Sequence, residues 1–478
     1  MPKHHGLGKL SGADAFCSLH HQRQRGDRFG RLFKLPPLFT PAPTLGAIGE
    51  QDGPMDGGKR ANRTTSVDVA QVFFGQFVDH DVTLDVESSL AGVVADATEI
   101  GNARTPTLDL DCVYGQGPEA SPFLFHGEGP FRGVKLLTGK DGTAADQGPN
   151  LAREDLQRTA HGTAIIGDPR NDENRIISQM QLAMIRFHNA VVDTLQPKYP
   201  GDDQRGELFE AARELTTWHY QWVIIHDFLP AMCGSAVVND ILGNGRQFYC
   251  ASDSDPFIPV EFSVAAYRFG HSMIPQKIQI QKSKPALPLF GPDLGIGFKP
   301  LSALKAVVDW NELATTSTPR SVQKAEKLDS KMATILLALP FIAAPDEPSL
   351  ATRNLLRGQG FLLPSGENVA EAMGRSATEI GKVSRAAKTL AGRAGVTLDS
   401  GTPLWLYLLL EAEKIGRETE PGHFDKGEGL GPTGARIVAE TMLGLIELDH
   451  RSFLATNRSW HPAEGVGVMT LGDMLTFG

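Results

Sequence analysis

Residues 75–81, which read GQFVDHD, contain an unusual group of polar side chains. Gln76, Asp79 and His80 are spaced i, i+3 and i+4, so a helix would place all three on one face. The opposite face holds Val72, Phe73 and Phe77. An amide, a carboxylate and an imidazole together could do chemistry, but a solvated polar face with a hydrogen-bonded histidine explains the same pattern. This stretch alone leaves both interpretations open.

A second histidine lies in residues 267–272, which read YRFGHS. Gly270 and Ser272 frame His271 with small side chains, so a flat ligand could approach its ring closely. A neutral imidazole is a good axial ligand for haem iron. The alternative is a buried histidine that is hydrogen-bonded to a backbone carbonyl, and the segment alone favours that reading.

Two loop segments offer charged or oxygen-bearing groups. Residues 105–111, TPTLDLD, present oxygen-bearing side chains at alternating positions, as a Ca²⁺ site with six to eight oxygen ligands requires. Residues 167–173, GDPRNDE, place Arg170 and Glu173 just before a predicted helix. An ordinary acidic loop and a capped helix start with a solvated arginine are the alternatives.

These four segments, in their order along the chain, resemble the animal-type haem peroxidases of the peroxidase–cyclooxygenase superfamily. Further matching stretches are RFHN (186–189), HDFLP (226–230) and LGPTGARIVAETMLGL (430–445), so the resemblance extends from about residue 68 to residue 461. It implies catalytic roles for Gln76, His80 and Arg170, haem contacts for Asp79, Glu173, Arg268 and His271, and calcium ligation by Asp81, Thr105, Thr107, Asp109 and Asp111.

Within that resemblance, His271 is the proximal iron ligand of haem b, and Asp79 and Glu173 form ester bonds to the haem. The implied reaction reduces H₂O₂ and oxidises halides, thiocyanate or small aromatic donors through an oxyferryl intermediate. His80 takes a proton from peroxide and returns it to the departing oxygen, while Arg170 stabilises the charge that builds there. Asn174 stands where some members have a methionine that makes a third haem link, so chloride oxidation is not expected.

Two other functions stay open. A fatty-acid dioxygenase of the same superfamily would carry a tyrosine three residues before the proximal histidine, where this sequence has Arg268, with Tyr267 one residue further away. A haem-binding protein without turnover is the second alternative. The family also has an asparagine that supports the proximal histidine. Residues 357–366 match the surrounding family pattern only loosely, and Asn368 and Ser384 are the candidates.

The elements that must position these residues are predicted to be helices in one large, mainly α domain at 65–478, preceded by an irregular arm at 1–64. A helix at 67–81 would begin at a capping box formed by residues 65–68. Apolar periodicity predicts a helix from 173 to 195, and another from 208 to 228 that ends before Pro230. Further helices are predicted at 262–273, 300–312, 321–339, 366–374, 376–393, 403–416 and 432–447, and no alternating strand pattern stands out.

Composition limits the partners. The chain has a net charge of −10 and no basic block, so we expect no nucleic-acid partner. No apolar run is long enough to span a membrane or to resemble a secretory signal, which predicts a cytoplasmic protein or one exported without a signal peptide. The four cysteines do not form a disulfide framework. The oligomeric state and the physiological donor are not predicted.

Overall fold

The computed structural model describes residues 28–477 except 60, 86–89, 91–92, 95–96, 98–100, 143, 146, 253–254, 296 and 319. Helices pack around an apolar core, which confirms the predicted mainly α domain. The longer α-helices are Ala42–Gly49, Val69–Val82, Arg175–Leu195, Arg205–Val223, Ser235–Asn244, Leu350–Gly360, Ala377–Arg393, Leu404–Lys414 and Pro432–Leu448. The shorter ones are Asp111–Tyr114, Gly117–Ala120, Pro149–Ala152, Leu229–Cys233, Trp310–Leu313, Gly366–Ala372, Phe453–Thr456 and Leu471–Leu475.

The strands are short, and in the described part of the chain they form four two-stranded sheets. One pair is parallel and the other three are antiparallel. The pairs are Phe29–Gly30 with Ile258–Pro259, Arg63–Asp68 with Lys324–Glu326, Lys277–Ile278 with Leu287–Pro288, and Arg417–Glu420 with His423–Asp425.

The helix Val69–Val82, which we call the distal helix, begins two residues later than predicted. The predicted capping residues 65–68 lie instead in the strand Arg63–Asp68. The actual start is marked by Gln71, whose side-chain oxygen accepts a hydrogen bond of 3.1 Å from the Asp68 amide. The distal helix then packs against the helix Arg175–Leu195, which confirms the predicted helix at 173–195.

Two predicted helices are wrong because tertiary contacts override their local pattern. Residues 321–339 contribute the strand Lys324–Glu326, and the Lys324 ammonium pairs with Asp68 at 2.5 Å. Residues 300–312 contribute only a 3₁₀ turn at Leu304–Ala306 and the start of the short helix Trp310–Leu313. Propensity is a weak guide wherever a segment gains partners from elsewhere in the chain.

Pro230 does not end its helix as predicted. The helix Arg205–Val223 passes through a π-helical turn, Ile224–Phe228, into the helix Leu229–Cys233. Pro230 occupies the first turn of that last helix, a position where proline is tolerated because its missing N–H leaves no α-type bond unmade. Gly234, with φ of 89°, follows the end.

Residues 28–64 of the predicted arm are largely irregular but pack onto the domain. Phe29 is buried, and the helix Ala42–Gly49 contacts the helix Leu350–Gly360. Residues 1–27, including Cys17, lie outside the described residues, and the boundary at residue 64 stays a prediction. Among the described residues, no helix combines the length and apolarity needed to cross a membrane.

Candidate active site

The three polar residues of the distal helix share one face, as their spacing predicts. His80 is 5% exposed, whereas Gln76 and Asp79 are half-buried. The Gln76 amide donates to the Glu173 carboxylate, which joins the distal helix to the segment 167–173. The Thr83 hydroxyl donates to Asp79 Oδ1 at 2.9 Å.

A chain of amides fixes the His80 ring. His80 Nδ1 lies 2.7 Å from Asn171 Oδ1, Asn171 Nδ2 donates to Gln181 Oε1 at 2.8 Å, and Gln181 Nε2 faces the Cys112 carbonyl at 3.4 Å. A carbonyl can only accept, so each amide orientation follows and Nδ1 must carry the ring proton. Burial, helped by the Arg170 charge, lowers the pKa of His80 to about 4. The neutral ring therefore keeps Nε2 free to accept a proton.

Arg170 lies beside His80 because a buried carboxylate holds it there. Its Nε donates to Asp168 Oδ1 at 3.1 Å and its Nη2 to Asp168 Oδ2 at 2.7 Å. The same Nη2 also donates to the His80 carbonyl at 3.0 Å. Burial would raise the pKa of Asp168, but the charges and hydrogen bonds of Arg170 and Arg104 outweigh it and lower the pKa to about 2. The sequence analysis did not identify Asp168 as a site residue, although it lies only two residues before Arg170.

The predicted calcium loop meets the end of the distal helix. Asp81, Asp109 and Asp111 each offer one oxygen, and these three atoms lie within 4.8 Å of one another. The Thr105 hydroxyl lies 3.3 Å from Asp109 Oδ1 and 3.4 Å from Asp111 Oδ2. The Thr107 hydroxyl is buried without a hydrogen-bond partner among the described residues.

This oxygen cluster fits a divalent cation. Burial, followed by the charges of Asp111 and Asp109, raises the pKa of Asp81 well above its ordinary range. Burial and the neighbouring carboxylates both disfavour the charged form of Asp81, and a bound cation would offset both effects. Carboxylate and hydroxyl oxygens are the ligand types that Ca²⁺ takes.

The partner of His271 is Asn354, which the sequence did not reveal. His271 Nδ1 lies 2.9 Å from the Asn354 side-chain amide, whose oxygen otherwise has no partner among the described residues. With the amide turned over, its oxygen accepts from Nδ1–H and leaves Nε2 free, which is the orientation that binding of a metal through Nε2 requires. Asn354, rather than the candidates Asn368 and Ser384, is therefore the residue that contacts His271. Asn368 instead sits at the start of the helix Gly366–Ala372, where its backbone N–H donates to Ser365.

The segment Ala266–Met273, which we call the proximal segment, packs against the distal helix. A Cβ placed on Gly270 would come 3.8 Å from Val72 of the distal helix. Arg268 Nε donates to the Ser263 carbonyl at 3.1 Å. The structure therefore makes the elements that carry the two histidines direct neighbours.

Three predicted haem contacts keep some solvent exposure. Glu173 is exposed, and Arg268 and His271 are half-buried. Burial among protein atoms nevertheless raises the pKa of Glu173 to about 7 and lowers that of His271 to about 3. The surrounding protein therefore disfavours the charged forms of Glu173 and His271. With Nε2 of His271 free and glycine as its neighbour, these residues fit a flat iron-containing cofactor such as haem.

The match to a protein family agrees with this site. Residues 88–290 match the model of the family described as animal haem peroxidase. That range includes the predicted calcium loop, the segment 167–173 and His271, whereas the distal helix lies upstream of it. The match covers less than half of the chain, and this region is therefore similar to the animal haem peroxidases.

Individual relatives point the same way. The chain is 26% identical to the chorion peroxidase of Drosophila melanogaster over 283 residues, which cover 56% of this chain and 33% of that protein. The matched segments cover between 7% and 33% of the curated relatives, so the chain corresponds to only a part of each.

Two solved structures share the fold. Peroxidase A from Dictyostelium discoideum superposes with a TM-score of 0.64 at 16% identity, covering 95% of this chain and 93% of that one. The fatty acid alpha-dioxygenase of Arabidopsis thaliana gives a TM-score of 0.61 at 16% identity, covering 94% of this chain and 77% of that one. The shared fold therefore includes both a peroxidase and a dioxygenase.

Proposed function

We propose that the chain is a haem peroxidase that reduces H₂O₂ and oxidises bromide, iodide, thiocyanate or a small phenol. The observation that carries the proposal is the pairing of His80 with Arg170. The His80 imidazole is neutral with Nε2 unprotonated, and the Arg170 guanidinium donates to the His80 backbone carbonyl. The buried partners Asn171 and Asp168 hold the two side chains. These are the two groups that heterolytic cleavage of a peroxide bond needs.

In the proposed reaction His271 Nε2 would bind the iron of haem b and Arg268 would contact the haem, whereas Gln76 would act with His80 and Arg170 as a catalytic residue. The haem supplies the redox chemistry when it is bound. His80 accepts the proton of the peroxide hydroxyl and delivers it to the departing oxygen, which leaves as water. Arg170 stabilises the negative charge on that oxygen. Two electrons from the donor balance the reduction, either from one halide ion or from two phenols.

A turnover assay tests the proposal. The haem-loaded protein is mixed with H₂O₂ and guaiacol, and separately with H₂O₂ and bromide. We expect both to be oxidised, and we expect His80→Ala to lower the rate by about 10²–10⁴. Haem-loaded protein that oxidises none of the proposed donors would contradict the proposal and leave a haem-binding protein without turnover.

We also propose that Asp79 and Glu173 form ester bonds to haem methyl groups. For each ester one methyl C–H bond breaks and one C–O bond forms, and one H₂O₂ takes up the two electrons and two protons and becomes two waters. Asp79 adjoins His80, Glu173 accepts from Gln76, and neither carboxylate takes part in an ion pair among the described residues. After peroxide treatment, acid–acetone extraction should leave haem on the protein, and a mass spectrum should show the added mass. Asp79→Val and Glu173→Gln together should release it. Complete release from the unsubstituted protein would contradict the linkage while leaving the peroxidase reaction intact.

A fatty-acid dioxygenase is the second candidate, because the fold is shared with two such enzymes. Tyr267 is 8% exposed, stacks on Phe262 at 4.6 Å and has no hydrogen-bond partner for its hydroxyl among the described residues. Arg268 occupies the position three residues before His271, which favours the peroxidase. Oxygen uptake with oleate or linoleate, together with an oxygenated fatty-acid product, would favour the dioxygenase.

A further inference from the structure

Arg104 is a buried cation that belongs to neither the predicted calcium ligands nor the proposed catalytic groups. It is 8% exposed and comes directly before the calcium loop. Its Nη1 donates to Asp111 Oδ1 at 3.2 Å, and its Nη2 donates to the Gly167 carbonyl at 3.1 Å and to Asp168. One guanidinium therefore touches both the calcium loop and the segment that carries Arg170.

Asp168 continues the connection. It is fully buried and accepts hydrogen bonds from Arg104 on one side and from the Arg170 backbone and guanidinium on the other. Charges therefore alternate from Asp111 through Arg104 and Asp168 to Arg170. Asp168 is shared between two cations, and a cation bound by the carboxylate cluster would make Asp111 shared in the same way.

We propose that Arg104 is a positioning residue that couples occupancy of the calcium site to the placement of Arg170. This inference rests on the proposed function, because it assumes that Asp81, Asp109 and Asp111 hold Ca²⁺. Asp81 offers one connection from the calcium site to the catalytic groups, because it adjoins His80 in the distal helix. Arg104 adds a second connection, to Arg170. The two routes reach different groups, since one acts on the imidazole and the other on the guanidinium.

The physical reason is competition for Arg104. When Ca²⁺ binds, the ion neutralises Asp111, and Arg104 can pair more strongly with Asp168. When the ion is removed, three repelling carboxylates draw Arg104 toward the loop, and Asp168 and Arg170 lose one of their anchors. A planar guanidinium can hold both carboxylates at once, whereas a lysine ammonium is a single point charge and cannot replace that fork. Coupling of this kind is reciprocal between the two sites.

The experiment uses the haem-loaded protein, either stripped of Ca²⁺ with chelator or reloaded with Ca²⁺ and then freed of unbound Ca²⁺, so that calcium fluoride does not precipitate. Fluoride is the probe, because it is an anion that binds ferric haem and responds to nearby hydrogen-bond donors such as Arg170. Its dissociation constant is measured with and without Ca²⁺, and thermal midpoints report whether Ca²⁺ binds. The variants are Arg104→Gln and, in case that protein does not fold, Arg104→Lys.

Arg158→Lys is the matched control. Arg158 is also buried, at 3% exposure, and it also bridges two carboxylates, Asp155 at 3.0 Å and Asp172 at 2.7 Å. Its side-chain hydrogen bonds go to Asp155, Asp172 and the Gly162 carbonyl, which lie outside the predicted calcium loop. Its substitution should therefore lower the thermal midpoint through the loss of a buried bridge while leaving the response of fluoride binding to Ca²⁺ unchanged.

We expect Ca²⁺ to tighten fluoride binding at least about fivefold in the unsubstituted protein, and less than about twofold in the Arg104 variants. If an Arg104 variant kept the full effect of Ca²⁺ on fluoride binding, the link would be overturned. Loss of that effect in Arg158→Lys would also overturn it. A thermal midpoint that Ca²⁺ does not raise would overturn the calcium site and the link together. An intact link in a protein without peroxide turnover would instead contradict the proposed reaction alone.

Discussion

The two histidines of the site are held by the same kind of contact in different surroundings. Each ring places Nδ1 against an asparagine side chain, at 2.7 Å for His80 and 2.9 Å for His271. Asn171 in turn donates a hydrogen bond to Gln181, whose own amide faces a backbone carbonyl. Asn354 makes no second side-chain hydrogen bond among the described residues. The distal ring is therefore fixed by a network and the proximal ring by one contact.

This difference matches the work proposed for each ring. His80 must release and regain a proton without turning, and a chain of buried amides prevents rotation while Nε2 changes its protonation. His271 has only to keep its proton on Nδ1 so that Nε2 can bind a metal, and one acceptor does that. Loss of the network behind His80 should therefore slow the reaction, whereas loss of the single contact at His271 should weaken cofactor binding.

The largest expected effect separates the two histidines by cofactor affinity. In titrations of haem-free protein without peroxide, His271→Ala should weaken haem binding by more than about 100-fold, because it removes the iron ligand itself. His80→Ala should leave the haem affinity nearly unchanged. The Soret absorbance measures both. If His80→Ala lost haem and His271→Ala retained it, the distal and proximal assignments would be reversed.

The two asparagines sharpen the comparison with a smaller effect. Asn354→Ala should weaken haem binding by about 10–100-fold, as loss of an outer partner of a metal-bound histidine does. Asn171→Ala should keep the haem and slow the reaction with H₂O₂, because the His80 ring loses its fixed orientation. Haem affinity and the rate of the peroxide reaction are measured on the same preparations. Equal loss of haem in both variants would remove the distinction between network and single support.

The smallest effect comes from an asparagine beside the distal site that has a structural contact only. Asn174 begins the helix Arg175–Leu195, and its side chain accepts from the Ile177 amide at 3.0 Å. Asn174→Ala should lower the free energy of unfolding by about 1 kcal/mol, the usual cost of losing such a cap. Thermal melts measure the loss. The haem affinity should stay as it was, and a large drop would show that Asn174 contacts the cofactor after all.

The distal half was predictable because its residues come in short local patterns. Helical spacing placed Gln76, Asp79 and His80 on one face, and alternation along 105–111 identified the oxygen-bearing side chains of the loop, including Asp109 and Asp111. The predicted helix beginning near residue 173 is also present. Each of these inferences needs only a few neighbouring residues and one regular geometry.

The proximal support could not be found in this way. His271 and Asn354 are 83 residues apart, and the helix Leu350–Gly360 that carries Asn354 was not predicted. Two glycines interrupt the apolar pattern at the end of that helix, which is stabilised by packing against Ala42–Gly49. The one available signal was the loose family match at 357–366, which begins three residues after Asn354. Contacts between distant segments depend on tertiary packing that local periodicity does not describe.

Stopped-flow mixing of the haem-loaded protein with H₂O₂ tests the central claim most directly. We expect a change in the haem spectrum whose rate rises in proportion to the peroxide concentration, followed by return to the resting spectrum when bromide or guaiacol is added. His80→Ala, with haem still bound, should slow the first step by about 10²–10⁴. A haem spectrum that peroxide leaves unchanged, or a His80→Ala protein that reacts as fast as the unsubstituted one, would contradict it.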